Sequence, residues 1–392
     1  MILTVLLLIH LKVFKISIDM HYKGDINVFE KKILIIANTY YQLIVAIQMK
    51  LCNFKNDYVT LLLSDHSKGA KNIQKRLKNC HIFDDCYYIE TKDFFLKRTL
   101  LDKFEDFVNI SFGLNNRFTH NVNKIESEYY DELVFFNFTY SIDGLFSMLY
   151  RNNRNLKLSL FEEGFLSYKT RLDFNYKRKI IKFVRHLRNQ QDVSDVLHNF
   201  YCFYPQLYHG KLTPIKVPVI TVGDDCSKLL SEIFNISQKE LNYQQRYIFF
   251  TSVYDFEGGE PIGEYKLVEK VAEVVGKENL LIKTHPRDVR TIYENNGFIV
   301  DKNSSIPWEP IQISGDFSDK VFMTATSGSV LAGSFMSEKP TKTFYMYRLC
   351  DISKNESAKH TAKQIYNLLQ DQSVKSVLNK VKIIDTLEEI SV

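Results

Sequence analysis

At 392 residues the chain is longer than one ordinary hydrophobic core organises, so two lobes are the expected arrangement. An apolar share of 45% and a charged share of 25% are those of a folded globular protein, which excludes extensive disorder and a polytopic membrane protein. A net charge of +5 is small for this length, so no nucleic-acid partner is expected and any pull toward anionic lipid must come from a local patch.

The first eighteen residues are apolar but carry His10, Lys12 and Lys15, which makes them too short and too charged for a membrane span. They also lack the charge-first layout of a signal peptide. Residues 1–31 therefore read as a leader with two open explanations, an upstream start ahead of Met20 or a weak interfacial anchor. From residue 32 short β-rich runs alternate with amphipathic ones, the pattern of parallel sheets covered by helices. Strands are predicted at 32–37, 58–63, 86–89, 132–138 and 156–161, with a helix at 42–51, and together they make a five-strand lobe. The stretch 201–218 holds three prolines and no clear period, which predicts a linker and divides the chain into domains 32–205 and 206–392. Beyond it, strands are expected at 247–251, 280–283, 298–300, 321–324 and 343–347, with helices at 264–275, from Gly328 onward and at 358–369. The fold class is α/β. Cys52, Cys80, Cys86, Cys202, Cys226 and Cys350 include no Cys-x-x-Cys pair and no zinc-type spacing with histidine, so they read as reduced, mostly buried thiols.

Ligands of open α/β sheets gather beyond the carboxyl ends of strands, so the residues just after these runs are the candidates for chemistry. Glu162-Glu163-Gly164 follows the run 156–161. One carboxylate of such a pair points into a cleft, where partial desolvation gives it the raised proton affinity of a general base. Gly164 permits a sharp turn and leaves room for a substrate; the plain alternative is an exposed loop pair. Lys283-Thr284-His285-Pro286-Arg287 follows a buried-looking strand. Pro286 excludes a helical conformation at His285, whose imidazole can donate to a phosphate oxygen and, when protonated, offset the charge of a departing phosphate. Lys283 and Arg287 add positive potential nearby, and a satisfied loop histidine is the alternative. Thr324-Ala325-Thr326-Ser327-Gly328-Ser329 joins a strand to a helical stretch, where hydroxyls and free N–H groups form an anion cradle or an ordinary N-cap. In Ile306-Pro307-Trp308-Glu309-Pro310, Glu309 is expected to be held rigidly in a loop, able to bind two ribose hydroxyls, with Trp308 able to pack on a sugar or base; a surface loop is the alternative.

Asp84-Asp85 and Asp224-Asp225 lack an Asp-x-Asp spacing and a third ligand, so no metal is expected. The segment 176–189 carries Arg178, Lys182 and Arg185 on one helical face and Ile180, Phe183, Val184 and Leu187 opposite. It reads as a solvated surface helix, with docking to anionic lipid or an acidic acceptor as the alternative.

Taken in order, Glu162-Glu163-Gly164, His285-Pro286 and Thr326-Ser327 resemble the bacterial sialyltransferases, especially glycosyltransferase family 52 and its polysialyltransferase relatives. Asn38-Thr39-Tyr40-Tyr41-Gln42-Leu43 is similar to the opening of that family, with Tyr40 where proline is usual. The resemblance spans roughly residues 32 to 350 and implies a GT-B fold, two Rossmann-like lobes with a cleft between them. The second lobe would hold CMP-sialic acid as donor and the first would face a glycan acceptor, for which terminal galactose is expected. By the same resemblance Glu163 is the base, with Glu162 as the fallback; His285 binds the donor phosphate and assists its departure; Glu309 contacts the cytidine ribose; and Thr326 with Ser327 or Ser329 binds the phosphate. Gly164, Pro286 and Arg287 complete the binding set. The implied reaction is inverting and needs neither metal nor cofactor. Its setting is the bacterial cytosol, building capsule or lipooligosaccharide on an acceptor that a lipid may carry, with peripheral contact at the inner membrane face and a homodimer as further expectations. The rival readings are another GT-B glycosyl- or polyol-phosphate transferase, or a sugar-nucleotide-binding protein without catalysis.

Overall fold

The computed structural model describes residues 29–67, 69–91, 99–113, 125, 128–164, 167–168, 176–237, 241, 243–257, 260–285, 287–301, 306–337 and 341–391. The predicted leader lies outside them except for Phe29, Glu30 and Lys31. The first lobe runs β1 (Lys32–Ala37), α1 (Tyr40–Cys52), β2 (Tyr58–Ser64), α2 (Ala70–Cys80), β3 (Asp85–Ile89), α3 (Leu100–Ser111), β4 (Glu132–Phe135), α4 (Tyr140–Asn152), β5 (Lys157–Phe161), α5 (Tyr176–Leu187), β6 (Leu197–Cys202) and β7 (Thr213–Lys216). Its strands form a 7-stranded sheet in the order β3-β2-β1-β4-β5-β6-β7, with parallel pairing throughout. Strands such as β1 are buried along nearly their whole length, which is why they read as unbroken apolar runs.

The second lobe contains α6 (Asp225–Phe234), β8 (Tyr247–Phe250), α7 (Glu264–Val275), β9 (Leu280–Lys283), α8 (Ile292–Asn295), β10 (Ile299–Val300), α9 (Trp308–Ser314), β11 (Val321–Thr324), α10 (Ser329–Met336), β12 (Lys342–Tyr345), α11 (Glu356–Gln370) and β13 (Val381–Ile383). Its 6-stranded sheet is ordered β10-β9-β8-β11-β12-β13 and is also parallel. This is the two-lobed α/β arrangement of GT-B proteins.

The expected linker at 201–218 is corrected by the sheet. Residues 213–216 form β7, hydrogen-bonded in register to β6, so the first sheet extends past the expected boundary at 205. The lobes share a continuous hydrophobic cluster. Across their junction Gln48 donates to the Pro218 carbonyl (2.9 Å), Arg76 donates to the Ile233 carbonyl (2.8 Å), and the Tyr204 ring meets Phe335 edge-on. The cysteines are free thiols; Cys86, Cys202 and Cys226 are buried while Cys52 is exposed. No described helix is long and apolar enough to cross a membrane.

Helix α5 is inverted relative to the solvated basic helix expected from sequence. Arg178 and Arg185 are buried, whereas Tyr176, Phe183 and Leu187 are exposed. Arg178 pairs with Asp143 on α4 and reaches both oxygens of Asp192 (3.1 and 2.9 Å). Arg185 donates to the carbonyls of Gln191 (2.9 Å) and Ile110 (3.0 Å) and to the Ser147 hydroxyl (2.9 Å). Lys182 is held by Asp195 at 2.6 Å, so the face that was to meet lipid or acceptor is occupied by the protein itself. Burial pushes the Asp143 carboxyl up to about 6 against the opposing pull of Arg178. Removing one partner of such a buried group leaves an unpaired charge, so Arg178→Ala is expected to cost about 3–5 kcal/mol in urea unfolding. A cost under about 1 kcal/mol would be that of a surface ion pair and would contradict the buried arrangement.

Candidate active site

The order of the first sheet reverses between β1 and β4, and a crevice at such a switch point lies beyond the carboxyl ends of the strands. Thr39 follows β1 and is the N-cap of α1, its hydroxyl accepting from the Gln42 N–H at 3.2 Å. Tyr40 then occupies the first helical position, the place in a helix where proline is tolerated best, so a proline-bearing relative needs no change of backbone there. The same Thr39 hydroxyl donates to Glu163 Oε1 at 2.8 Å, joining the end of β1 to the end of β5.

The two adjacent acids divide by environment. Glu162 is fully buried and accepts from Tyr41 Oη (2.6 Å), from Tyr168 Oη and from the Phe203 N–H (2.9 Å). Burial raises its pKa to about 7, with the bonds from Tyr168, Tyr41 and Phe203 acting in the opposite sense. Both its oxygens are thus engaged inside the lobe, away from the cleft. Glu163 is half-buried and lines the cleft; burial raises its pKa, while hydrogen bonds from Thr39 and Gln42 lower it, with a net upward shift. The Ser167 hydroxyl accepts from the Glu163 N–H (2.7 Å) and donates to the Gly164 carbonyl (2.5 Å), fixing the turn. Gly164 has φ +78°, and a Cβ there would meet the Tyr41 ring at 3.7 Å.

In the second lobe the strand order reverses between β8 and β11. Phe250 aligns with Lys283 on β9 and with Thr324 on β11, so His285 and Thr326 leave the sheet on one rim, either side of Thr251. The Thr251 hydroxyl accepts from the His285 N–H at 2.9 Å, and His285 Nδ1 accepts from the Arg287 N–H at 3.2 Å. That acceptor role leaves the proton of a neutral imidazole on Nε2. Burial, followed by the Arg287 charge, holds the His285 pKa below its ordinary value, which favours the neutral donor form over the imidazolium. Pro286 lies outside the described residues. Lys283 is buried and paired with Asp301 at 2.6 Å, which corrects its expected role as a free positive charge. Arg287 turns to Glu257 (2.9 Å) and stays exposed.

A cavity of about 300 Å³ opens between the lobes and is lined by Tyr41, Glu163 and Gly164 on one side and Glu309, Thr326, Gly328 and Ser329 on the other. His285, Arg287, Glu162 and Ser327 are not part of its lining. Thr326 is buried, and among the described residues its hydroxyl has no hydrogen-bond partner. Ser329 begins α10, which Gly328 precedes without any side-chain cap, and a Cβ on Gly328 would meet nothing within 4 Å. Ser327 Oγ bonds to Ser329 Oγ (2.8 Å) while its carbonyl accepts from Tyr345 Oη (3.1 Å), so of this pair Ser329 faces the cavity. Glu309 sits in the first turn of α9 rather than in a rigid loop, and burial raises its pKa. Trp308 is corrected outright: it is buried against Phe250 (4.8 Å between ring centroids), Phe317 (5.2 Å) and Phe322 (5.4 Å), with no face for a sugar or base.

Residues that the sequence reading passed over complete the site. Tyr41 and Gln42 donate to the acidic pair, and their signal in the sequence is their place in the segment just after β1. Thr361, Gln364, Ile365 and Leu368 of α11 add to the wall beside Leu331, Ala332 and Phe335 of α10 and Tyr345 of β12; only the shared helical face of the α11 residues announces them. Among the described residues no three His, Cys, Asp or Glu side chains converge as metal ligands.

Compared with solved structures, the chain is similar to the α/β-galactoside α-2,3-sialyltransferase of Photobacterium phosphoreum, at 11% identity and TM-score 0.45, covering 92% of this chain and 100% of that one. It is similar to the UDP-GlcNAc 2-epimerase of Neisseria meningitidis at 10% identity and TM-score 0.44, covering 92% and 98%. MurG of Acinetobacter baumannii gives 11% identity and TM-score 0.40, covering 92% and 88%. Likenesses of this size bear on no residue's role. No curated protein sequence matches the chain significantly. The family model for alpha-2,8-polysialyltransferase (POLYST) matches residues 33–341, a stretch that holds the acidic pair, His285 and the Thr326 turn. The match falls on the polysialyltransferase part of the resemblance: the chain belongs to the alpha-2,8-polysialyltransferase family.

Proposed function

We propose that this chain moves sialic acid from CMP-sialic acid to a hydroxyl of a glycan acceptor in one in-line displacement, with inversion and without a metal ion. The observation that carries the reading is Glu163, a partly desolvated carboxylate held by Thr39 in a cleft whose opposite wall offers the unpartnered Thr326 hydroxyl and the uncapped start of α10. The Glu163 carboxylate takes the acceptor's proton as the acceptor oxygen bonds to the anomeric carbon of the donor. The bond from that carbon to the phosphate oxygen breaks, and CMP leaves with its electron pair. The added negative charge on the phosphate is met by hydrogen bonds from Thr326, from Ser329 with the N–H groups beside it, and from His285 Nε2. A monophosphate leaving group makes this donor set adequate. Glu309, on the same cavity wall as Thr326, takes the ribose hydroxyls in this reading.

The family description favours sialic acid itself as the acceptor terminus, with its 8-hydroxyl attacking and the product serving as the next acceptor, over the terminal galactose expected from sequence. Synthesis of a bacterial surface polymer, capsule or lipooligosaccharide, is the setting that fits.

Titration calorimetry with CMP, CDP, UDP and GDP, with chelator present, tests donor class and metal dependence together. CMP is expected to bind selectively, and His285→Ala to weaken it roughly ten- to hundredfold. Preference for UDP or GDP, or binding indifferent to His285, would remove the donor assignment; CDP preference would point to polyol-phosphate transfer.

The titration directions of the two groups make a second test. Because the Glu163 pKa is raised and the base acts deprotonated, kcat is expected to rise with pH through a midpoint above the ordinary carboxylate value. His285 has a lowered pKa and gains charge only on acidification, so CMP affinity is expected to hold or tighten over the range where kcat is lost. Parallel loss of both would contradict the separation of roles.

A further inference from the structure

The outward face of α5 has no use in the reaction above. At about 100° per residue, Tyr176, Ile180, Phe183 and Leu187 fall within roughly 60° of one another on the helix. Of these, Tyr176 is 77%, Phe183 63% and Leu187 70% exposed, a cost that a helix with a solvated role would avoid. Its cations are sorted by position. Arg178, Lys182 and Arg185 are consumed by contacts inside the lobe, whereas Lys177 and Lys179 stay exposed on opposite flanks of the apolar strip. Neither flanking lysine has an ion-pair partner among the described residues, and the helix contains no Asp or Glu.

The neighbouring α3 packs on α5 and has exposed apolar side chains of its own. It meets α5 where Arg185 donates to the Ile110 carbonyl (3.0 Å) and where the Arg188 guanidinium lies 4.6 Å from the centroid of the Phe112 ring just beyond α3. Its N-terminal part leaves Leu100, Leu101 and Phe104 exposed, with exposed Lys103 and Glu105 and half-buried Asp102 among them.

We propose that this face of α3 and α5 docks on an anionic lipid bilayer. Apolar side chains at the centre would enter the interface while lysine stems reach along it to place their ammonium groups among phosphates, the geometry of an interfacial helix. Helix α5 itself offers no acid to a second copy of the strip, whose lysines would meet its own lysines across a two-fold axis. This goes beyond the sialyl-transfer reading and replaces the basic face of the same helix as the membrane contact.

The test is sedimentation of the full chain with vesicles of phosphatidylglycerol and of phosphatidylcholine. It compares wild type with the Phe183→Ser/Leu187→Ser and Lys177→Glu/Lys179→Glu pairs. Wild type is expected to sediment preferentially with phosphatidylglycerol. The apolar pair should lower that partitioning at least about tenfold, and the charge reversal should abolish the preference. Circular dichroism and turnover on a soluble oligosaccharide acceptor, unchanged in both variants, separate docking from folding. Equal partitioning of all three proteins would overturn the proposal. So would a wild-type dimer that the apolar pair converts to a monomer with no change in vesicle binding, since the face would then be a subunit interface. Vesicle binding and sialyl transfer are read by separate assays, so either fails without the other.

Discussion

A carboxylate without water sets the geometry of the cleft. Glu162 collects the hydroxyls of Tyr41 and Tyr168 and the N–H of Phe203, so one buried group ties α1, the turn after β5 and the end of β6 together. Burying an acid in this way is unfavourable unless its oxygens are answered, and here both are. The Tyr168 ring that serves it also leans on Phe335 of α10, carrying the constraint into the second lobe. The position of Glu163 follows, because it is the next residue along a backbone that Glu162 holds still.

Two neighbouring residues of one chemical type thus take different parts through surroundings alone. Glu162 is enclosed and bonded; Glu163 accepts from Thr39 at 2.8 Å and from Gln42 and opens on the cleft. Across from it, the second lobe contributes polar groups on a rim defined by strand register rather than by sequence neighbourhood, which is how His285 and Thr326, far apart in the chain, leave adjacent regions of one sheet. On the proposed reading, a proton acceptor on one lobe faces anion-binding donors on the other.

Much of this was legible in the sequence, for identifiable reasons. Parallel strands covered on both faces announce themselves as continuous apolar runs, and residues just beyond them are the natural places to look for chemistry, which led to Glu163, His285 and Thr326. Strand β7 was hidden because T-P-I-K is a partly exposed edge strand with a proline, and an edge strand needs neither full burial nor every N–H. Trp308 was misplaced because its flanking prolines suggested a loop, yet proline is tolerated in the first turn of a helix, and only the fold supplies Phe250, Phe317 and Phe322 to bury it. The sidedness of α5 was beyond reach: its pattern separates two faces, but the acids that turn the arginines inward, Asp143 and Asp192, arrive from other elements.

The central claim is that Glu163, and not its buried neighbour, is the base. Glu163→Gln keeps the shape and an acceptor for the Thr39 hydroxyl while removing the proton acceptor. The direct measurement is therefore kcat of this variant on CMP-sialic acid with a sialylated oligosaccharide, alongside CMP affinity by calorimetry. The account predicts a loss of about 10²–10⁴-fold in kcat with CMP affinity unchanged. Turnover within about threefold of wild type, outside the range of general-base loss, would contradict it.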